Sequence, residues 1–253
     1  MTVTMDRRTA CSNKTRGIWG GGTSPRTDVI DYVTIASLGD AADFGDLTAT
    51  GDRAAAVSNG TRGVFGGRST AGSPHYSEII DYVTIATTGD ASDFGDMPPG
   101  YTGRGNISNA TRGVFMGGND GSYSNDIDYV VIASLGDATD FGDLTQNNSH
   151  SGACASTTRG LRGGGQDPKT DTIDYIIIAS TGDATAFGDL TTSRGGVAAA
   201  SNGTRGVWGG GSGTPHPRSN VLDYVVIAST GDATDFGDLT LTGREDPAAC
   251  SGD

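Results

Sequence analysis

The chain has 253 residues, a formal net charge of −13 at pH 7 and an isoelectric point near 4.4. That balance offers no basic stripe to neutralise phosphates, so it argues against a nucleic-acid partner, and it equally disfavours an anionic membrane surface. Apolar residues are 34% of the chain, below the roughly 45–50% of ordinary globular domains, while 42 glycines recur at fixed positions, which suits tightly turning β structure better than a helical core.

Taken in chain order, the same elements return five times. Thr-Arg-Gly occurs at Thr15, Thr61, Thr111, Thr158 and Thr204. Asp-Tyr follows at Asp31, Asp81, Asp128, Asp174 and Asp223, with spacings of 50, 47, 46 and 49 residues. The second copy shows the pattern. Residues 53–58 form a short apolar strand, Asn59-Gly60 supplies a hairpin turn, and 61–67 form a second strand halted by glycines. After a variable loop, 78–87 is a β-branched strand, apolar on both faces and therefore covered on both. A Thr-Gly-Asp turn then leads to a short fourth strand, Asp-Phe-Gly-Asp-Met.

Four antiparallel strands in about 47 residues, repeated five times, predict an all-β, five-bladed β-propeller forming one closed array. Its blades are 1–48, 49–98, 99–145, 146–191 and 192–239. Residues 240–253 restate the opening strand of the repeat, "GREDPAACSGD", a spare first strand suited to a neighbouring subunit by strand addition.

A strand ending in Gly-Gly, a following Tyr and an aromatic residue before Leu resemble the kelch repeat, with Phe44, Phe94, Phe141, Phe187 and Phe236 at the kelch tryptophan position. The phrases "IDYVTIAS" and "GDATDFGDLT" also resemble repeat arrays of marine bacteriophage proteins, including those of cyanophages, which implies a virion or tail-fibre-associated component.

Nineteen of the 30 acidic residues lie in the repeated frame, so the acidity belongs mostly to the scaffold. Arg16, Arg62, Arg112, Arg159 and Arg205 recur beside a buried strand and are expected to fork onto carboxylates and lock blade to blade. The acids of "GDATDFGD" are expected to cap turns; as a calcium site they would bring two or three of the six to eight oxygens required. Cys11, Cys154 and Cys250 share one repeat position with Val57, Ile107 and Ala200, which makes it a small buried slot, and neither a disulfide framework nor a metal is expected. No cofactor is expected either. Identical acids in each copy provide no privileged pair with separated pKa values, and no nucleophile neighbours His75, His150 or His216, so an enzyme is not expected.

Function is expected at one end of the blades. The first-to-second and third-to-fourth turns are nearly the same in all copies, whereas the second-to-third and fourth-to-first loops diverge. Loops on a rigid scaffold carry recognition, and Arg26, His75, Tyr76, Tyr101, Tyr123, Asn147, His150, His216 and Arg218 are the candidate contacts to sugar or protein. The expected role is a non-enzymatic structural and recognition protein, virion or extracellular, with other virion proteins or a host-surface glycan or protein as partners. The alternative is a soluble carbohydrate-binding propeller lectin. "MTVTMDRRTACSNK" has no apolar run, so no secretory signal is read there.

Overall fold

The computed structural model describes residues 6–72, 75–97, 99–166, 168–213, 218–240 and 249. The described residues are all-β, in five four-stranded sheets with sequential strand order and a short two-stranded pair, Arg194–Gly195 with Ser212–Gly213. The first sheet comprises Thr9–Ser12, Arg16–Gly20, Thr27–Thr34 and Ala42–Gly51. In the second, Ala55–Ser58, Arg62–Ser69, Tyr76–Thr84 and Ser92–Asp96 lie within a few residues of the strands read from the sequence. The third holds Gly105–Ser108, Arg112–Asn119, Tyr123–Val131 and Thr139–Asp143. The fourth holds Gly152–Ala155, Arg159–Gly163, Thr172–Ile177 and Thr185–Asp189, and the fifth Ala198–Ser201, Arg205–Gly209, Val221–Val226 and Thr234–Asp238.

The chain divides into two compact units. One contains the first two sheets with 99–103, 110–114 and 128–139 of the third repeat; the other contains the rest of that repeat and the last two sheets. The described part of the chain lacks a helix long and apolar enough to cross a membrane. The 240–253 tail lies outside the described residues except for Thr240 and Ala249.

The Asp-Phe-Gly-Asp phrase explains how repeats join. In the second sheet Ile80 pairs with Gly95 and Asp81 with Asp93, so Phe94 is an extra residue in a bulge. The bulge turns the Phe94 ring edge-on to Tyr82, centroids 6.0 Å apart, and the same pair recurs in the first, fourth and fifth sheets. It also brings the glycine against the next repeat. A Cβ on Gly45, whose φ is +141°, would lie 2.5 Å from the Gly89 carbonyl group. Only glycine permits both that conformation and that approach.

Three backbone groups close each joint. Between the first and second repeats, Gly89 N–H donates to Phe44 O (2.7 Å), Ala91 N–H to Asp46 O (2.8 Å), and Asp46 N–H to the Asp90 carboxylate (3.1 Å). The Gly-Asp turn therefore caps its neighbour's fourth strand. Asp93, Asp140 and Asp235 cap the local glycine N–H instead, the bond that Ala186 forgoes in repeat four. The same three bonds join second to third, third to fourth, and fourth to fifth repeats, each joint lying within one unit. Apolar burial follows the same logic: Phe44 packs in one cluster with Val83 and Ile85, and Phe187 in another with Val225 and Ile227.

The repeated arginines differ from expectation. All five stack on the tyrosine of their own repeat at 4.4–4.9 Å from the ring centroid, and among the described residues Arg16, Arg62, Arg159 and Arg205 make no ion pair with a carboxylate. From there Arg16 donates to Ile85 O, Arg62 to Ile132 O and Arg159 to Ile227 O, at 3.0–3.2 Å, each acceptor belonging to the following repeat. The stack holds the guanidinium flat, and the carbonyl takes an N–H at its edge.

The buried Asp-Tyr carboxylates draw their arginines from elsewhere. Asp31 pairs with Arg8 (2.5 Å), Asp81 with Arg68, Asp174 with Arg162 (3.7 Å) and Asp223 with Arg194 (2.5 Å). A threonine from the preceding repeat completes three of them: Thr48 donates to Asp81, Thr145 to Asp174 and Thr191 to Asp223, at 2.5–2.7 Å. A buried carboxylate without its cation costs roughly 3–5 kcal/mol, so the aspartate is constant while its arginine comes from wherever a long side chain reaches.

Candidate functional site: the variable-loop ends

Antiparallel order places the second-to-third and fourth-to-first loops at one end of each sheet and the uniform turns at the other. The uniform end is consumed by the scaffold. Asn59 Oδ1 accepts from Thr61 and Arg62 N–H, and Asn202 does the same for Thr204 and Arg205. A groove of about 330 Å³ at that end of the fourth and fifth sheets is lined by scaffold residues, among them Arg159, Ile177, Thr204 and Ile227.

The variable end is divided. Arg26 reaches from the first repeat to Asp52, 2.6 Å away, and to Ser69 Oγ at 3.1 Å. Tyr76 pairs across the strand ladder with that same Ser69; Arg26 is exposed there and Tyr76 half-buried. Tyr101 is only 7% exposed and its carbonyl lies against Gly67, a core role rather than a contact surface. Tyr123 opens a strand and is half-buried. His150, at φ +52°, receives Gly196 N–H on its carbonyl, while its Nδ1 lies 2.8 Å from Ser149 Oγ. His75, Asn147 and Arg218 are exposed loop residues, in three different repeats; His216 lies outside the described residues.

A buried polar group in the fourth repeat escaped the sequence reading. Arg162 occupies the place held by Trp19, Phe65, Phe115 and Trp208 in the other repeats and is fully buried. Among the described residues its three guanidinium nitrogens, Asp174 Oδ2, Asn148 Oδ1 and Ser151 Oγ have no hydrogen-bond partner. Burial pushes the Arg162 pKa down to about 10, against the pull of Asp174, and pushes Asp174 up against its bond from Thr145. The signal was present as an arginine inside an otherwise aromatic column. Cys154 is buried in the slot expected of it and Cys11 half-buried, and desolvation raises both thiols to about 12; Cys250 lies outside the described residues. Among the described residues there is no group of three or more His, Cys, Asp or Glu placed to hold a metal ion.

No protein-family model matches the chain, and no curated protein does. Among solved structures it is similar to that of YjhT, with a TM-score of 0.80 at 10% identity, over 99% of this chain and 88% of that one. The likeness shows the fold alone, and that fold is propeller-like.

Proposed function

We propose that the chain is a non-enzymatic structural and recognition protein, five successive blades of a propeller holding a constant set of joints and offering divergent loops for contact. The observation that carries this reading is a division of labour within every repeat. The Gly-Asp joints that recur from repeat to repeat sit in the recurring phrases, whereas the exposed candidates His75, Asn147 and Arg218 sit in loops that differ from copy to copy. A rigid frame with variable loops is the usual build of a recognition surface. Their polar, partly planar side chains suit sugar hydroxyls or a polar protein surface. The likeness of the repeat phrases to marine phage arrays supports a particle as its setting, as a virion or tail-fibre-associated component.

Density-gradient fractionation of a source lysate, followed by peptide mass spectrometry, tests that setting. Co-sedimentation with particles is expected. Recovery only among soluble proteins overturns the virion assignment and leaves the lectin reading in front.

A further inference from the structure

Most of the chain's positive charge is committed to the scaffold. Of the 17 Lys and Arg residues, five stack on tyrosines, and Arg8, Arg68, Arg104, Arg162 and Arg194 have buried side chains. Of the others, Arg7, Arg26 and Arg53 come together at the variable-loop end of the first two repeats, within one compact unit. The cluster is built on Asp52, whose side chain is 1% exposed. Arg26 Nε lies 2.6 Å from one carboxylate oxygen and Arg53 Nε 3.9 Å from the other, so two guanidiniums share one negative charge. Arg26 Nη2 donates to Ser69 Oγ, and Arg53 N–H donates to the Arg7 carbonyl (3.1 Å each), which brings Arg7 alongside. Arg26 thus serves Asp52 with one edge and keeps Nη1 over. Among the described residues that nitrogen, the terminal nitrogens of Arg53 and the whole Arg7 guanidinium have no hydrogen-bond partner. Asp6, bridged to Thr23 in the same loop as Arg26, forms no ion pair among the described residues.

The backbone beneath two of these arginines gives a second, independent observation. Arg7 and Arg53 stand four residues before Cys11 and Val57, at φ +56° and +58°. The equivalent residues of the third and fifth repeats are Gly103 and Gly196, at φ +65° and +63°, and His150 takes the place in the fourth. Gly196 N–H donates to the His150 carbonyl as Arg53 N–H does to that of Arg7, so the left-handed turn is a scaffold requirement, which glycine meets without strain. An L side chain there works against its own backbone, and strain of that kind gathers where the side chain is used.

The unused N–H groups select the ligand. A carboxylate has two oxygens and is satisfied by one guanidinium fork, whereas a sulfate or phosphate ester presents three and can bridge several forks. A net charge of −13 repels a long polyanion, so the ligand is short. Thr70 N–H donates to the His75 carbonyl next to Ser69, and Tyr76 pairs with Ser69, so two planar side chains adjoin the arginines. We propose that Arg7, Arg26 and Arg53 hold a tetrahedral oxyanion ester, sulfate or phosphate, carried on a short saccharide with His75 and Tyr76 beside its ring. The inference rests on the reading of the variable loops as a recognition surface and names the ligand class for the first two repeats.

Isothermal titration of the full chain tests it, with a dextran sulfate oligosaccharide, its unsulfated counterpart, a hexose phosphate, an oligogalacturonate and a short polyglutamate as probes. The sulfated oligosaccharide or the hexose phosphate should bind, and the tighter of the two identifies the ester. Arg7→Gly with Arg53→Gly installs the residue that the third and fifth repeats carry, so binding should weaken by at least about 10-fold while the thermal midpoint holds or rises. Arg7→Asn with Arg53→Asn, also compatible with the turn, guards against a glycine pair that does not fold. The proposal is overturned if the wild-type chain binds neither ester, or if both variants bind it as tightly as wild type. Oligogalacturonate binding as tightly makes the site one for carboxylates, and polyglutamate binding as tightly makes the partner an acidic peptide; either overturns the assignment. So does a midpoint that falls in both variants, which makes the two arginines scaffold. Binding of the unsulfated oligosaccharide that survives both variants leaves the recognition reading standing while this inference alone falls.

Discussion

Phe187 and Phe236 hold one position in two consecutive repeats and isolate what a joint contributes. Each makes the same edge-on contact with its own tyrosine, at 6.0 and 5.7 Å. They differ in cover, Phe187 being 3% exposed beneath the fifth repeat and Phe236 52% exposed. Phe187→Ala loses the transfer energy of a buried ring and leaves a cavity that its neighbours fill only partly, which costs about 3–5 kcal/mol. Phe236→Ala loses about half that transfer energy and opens no closed cavity, so about 1 kcal/mol is expected. Urea unfolding followed by the fluorescence of Trp208, buried in the same cluster as Phe187, reads both variants. The difference should be about 2–4 kcal/mol at similar m-values. Equal losses would refute the claim that the neighbouring repeat, rather than the local tyrosine, holds this ring.

Three further outcomes follow from the same joints. Gly188→Ala drives a methyl into the backbone of Gly231 and should lower the thermal midpoint well below that of Gly237→Ala, where the space is open and only φ strain remains; scanning calorimetry compares them. Arg162→Leu leaves Asp174 buried without its cation and should cost about 3–5 kcal/mol in denaturant unfolding. Adding Ser151→Arg, the place from which Arg8 serves Asp31, should restore most of that loss. Desolvation and then neighbouring carboxylates raise the pKa of Asp46, Asp143 and Asp189, and desolvation raises that of Asp174. A carboxyl whose folded pKa is raised weakens folding while ionised and is relieved as pH falls through that value. The thermal midpoint should therefore rise on mild acidification from pH 7 toward the upper carboxylate range, and a monotonic fall over that interval contradicts the assignment.

The repeat, the four strands and their order were legible because alternating β-branched phrases and Asn-Gly or Gly-Asp turns specify them locally. Less legible was whatever depends on a neighbour. The Gly-Asp turn reads as capping itself, yet Asp90 caps Asp46 of another repeat. Arg16 reads as half of an ion pair, but a tyrosine ring lies within reach and a carbonyl lies at its edge. The true partners of the buried aspartates stand at unlike positions, Arg8, Arg68, Arg162 and Arg194, so no periodicity marks them. Likewise Arg26 and Tyr101 read as surface contacts because nothing local reveals Asp52 or the close approach of Gly67. Nor does the repeat pattern mark Ile35 and Phe236 as more exposed than their equivalents.

The central claim is that the recurring Gly-Asp joints and the exposed variable-loop residues are separate parts of each repeat. Its most direct measurement is binding of the full chain to a glycan panel and to purified particles, beside a triple variant, H75A/N147A/R218A. The account predicts an unchanged thermal midpoint and at least about tenfold weaker binding for the variant. Undiminished binding, or a midpoint that collapses with it, would contradict the separation of scaffold from contact surface.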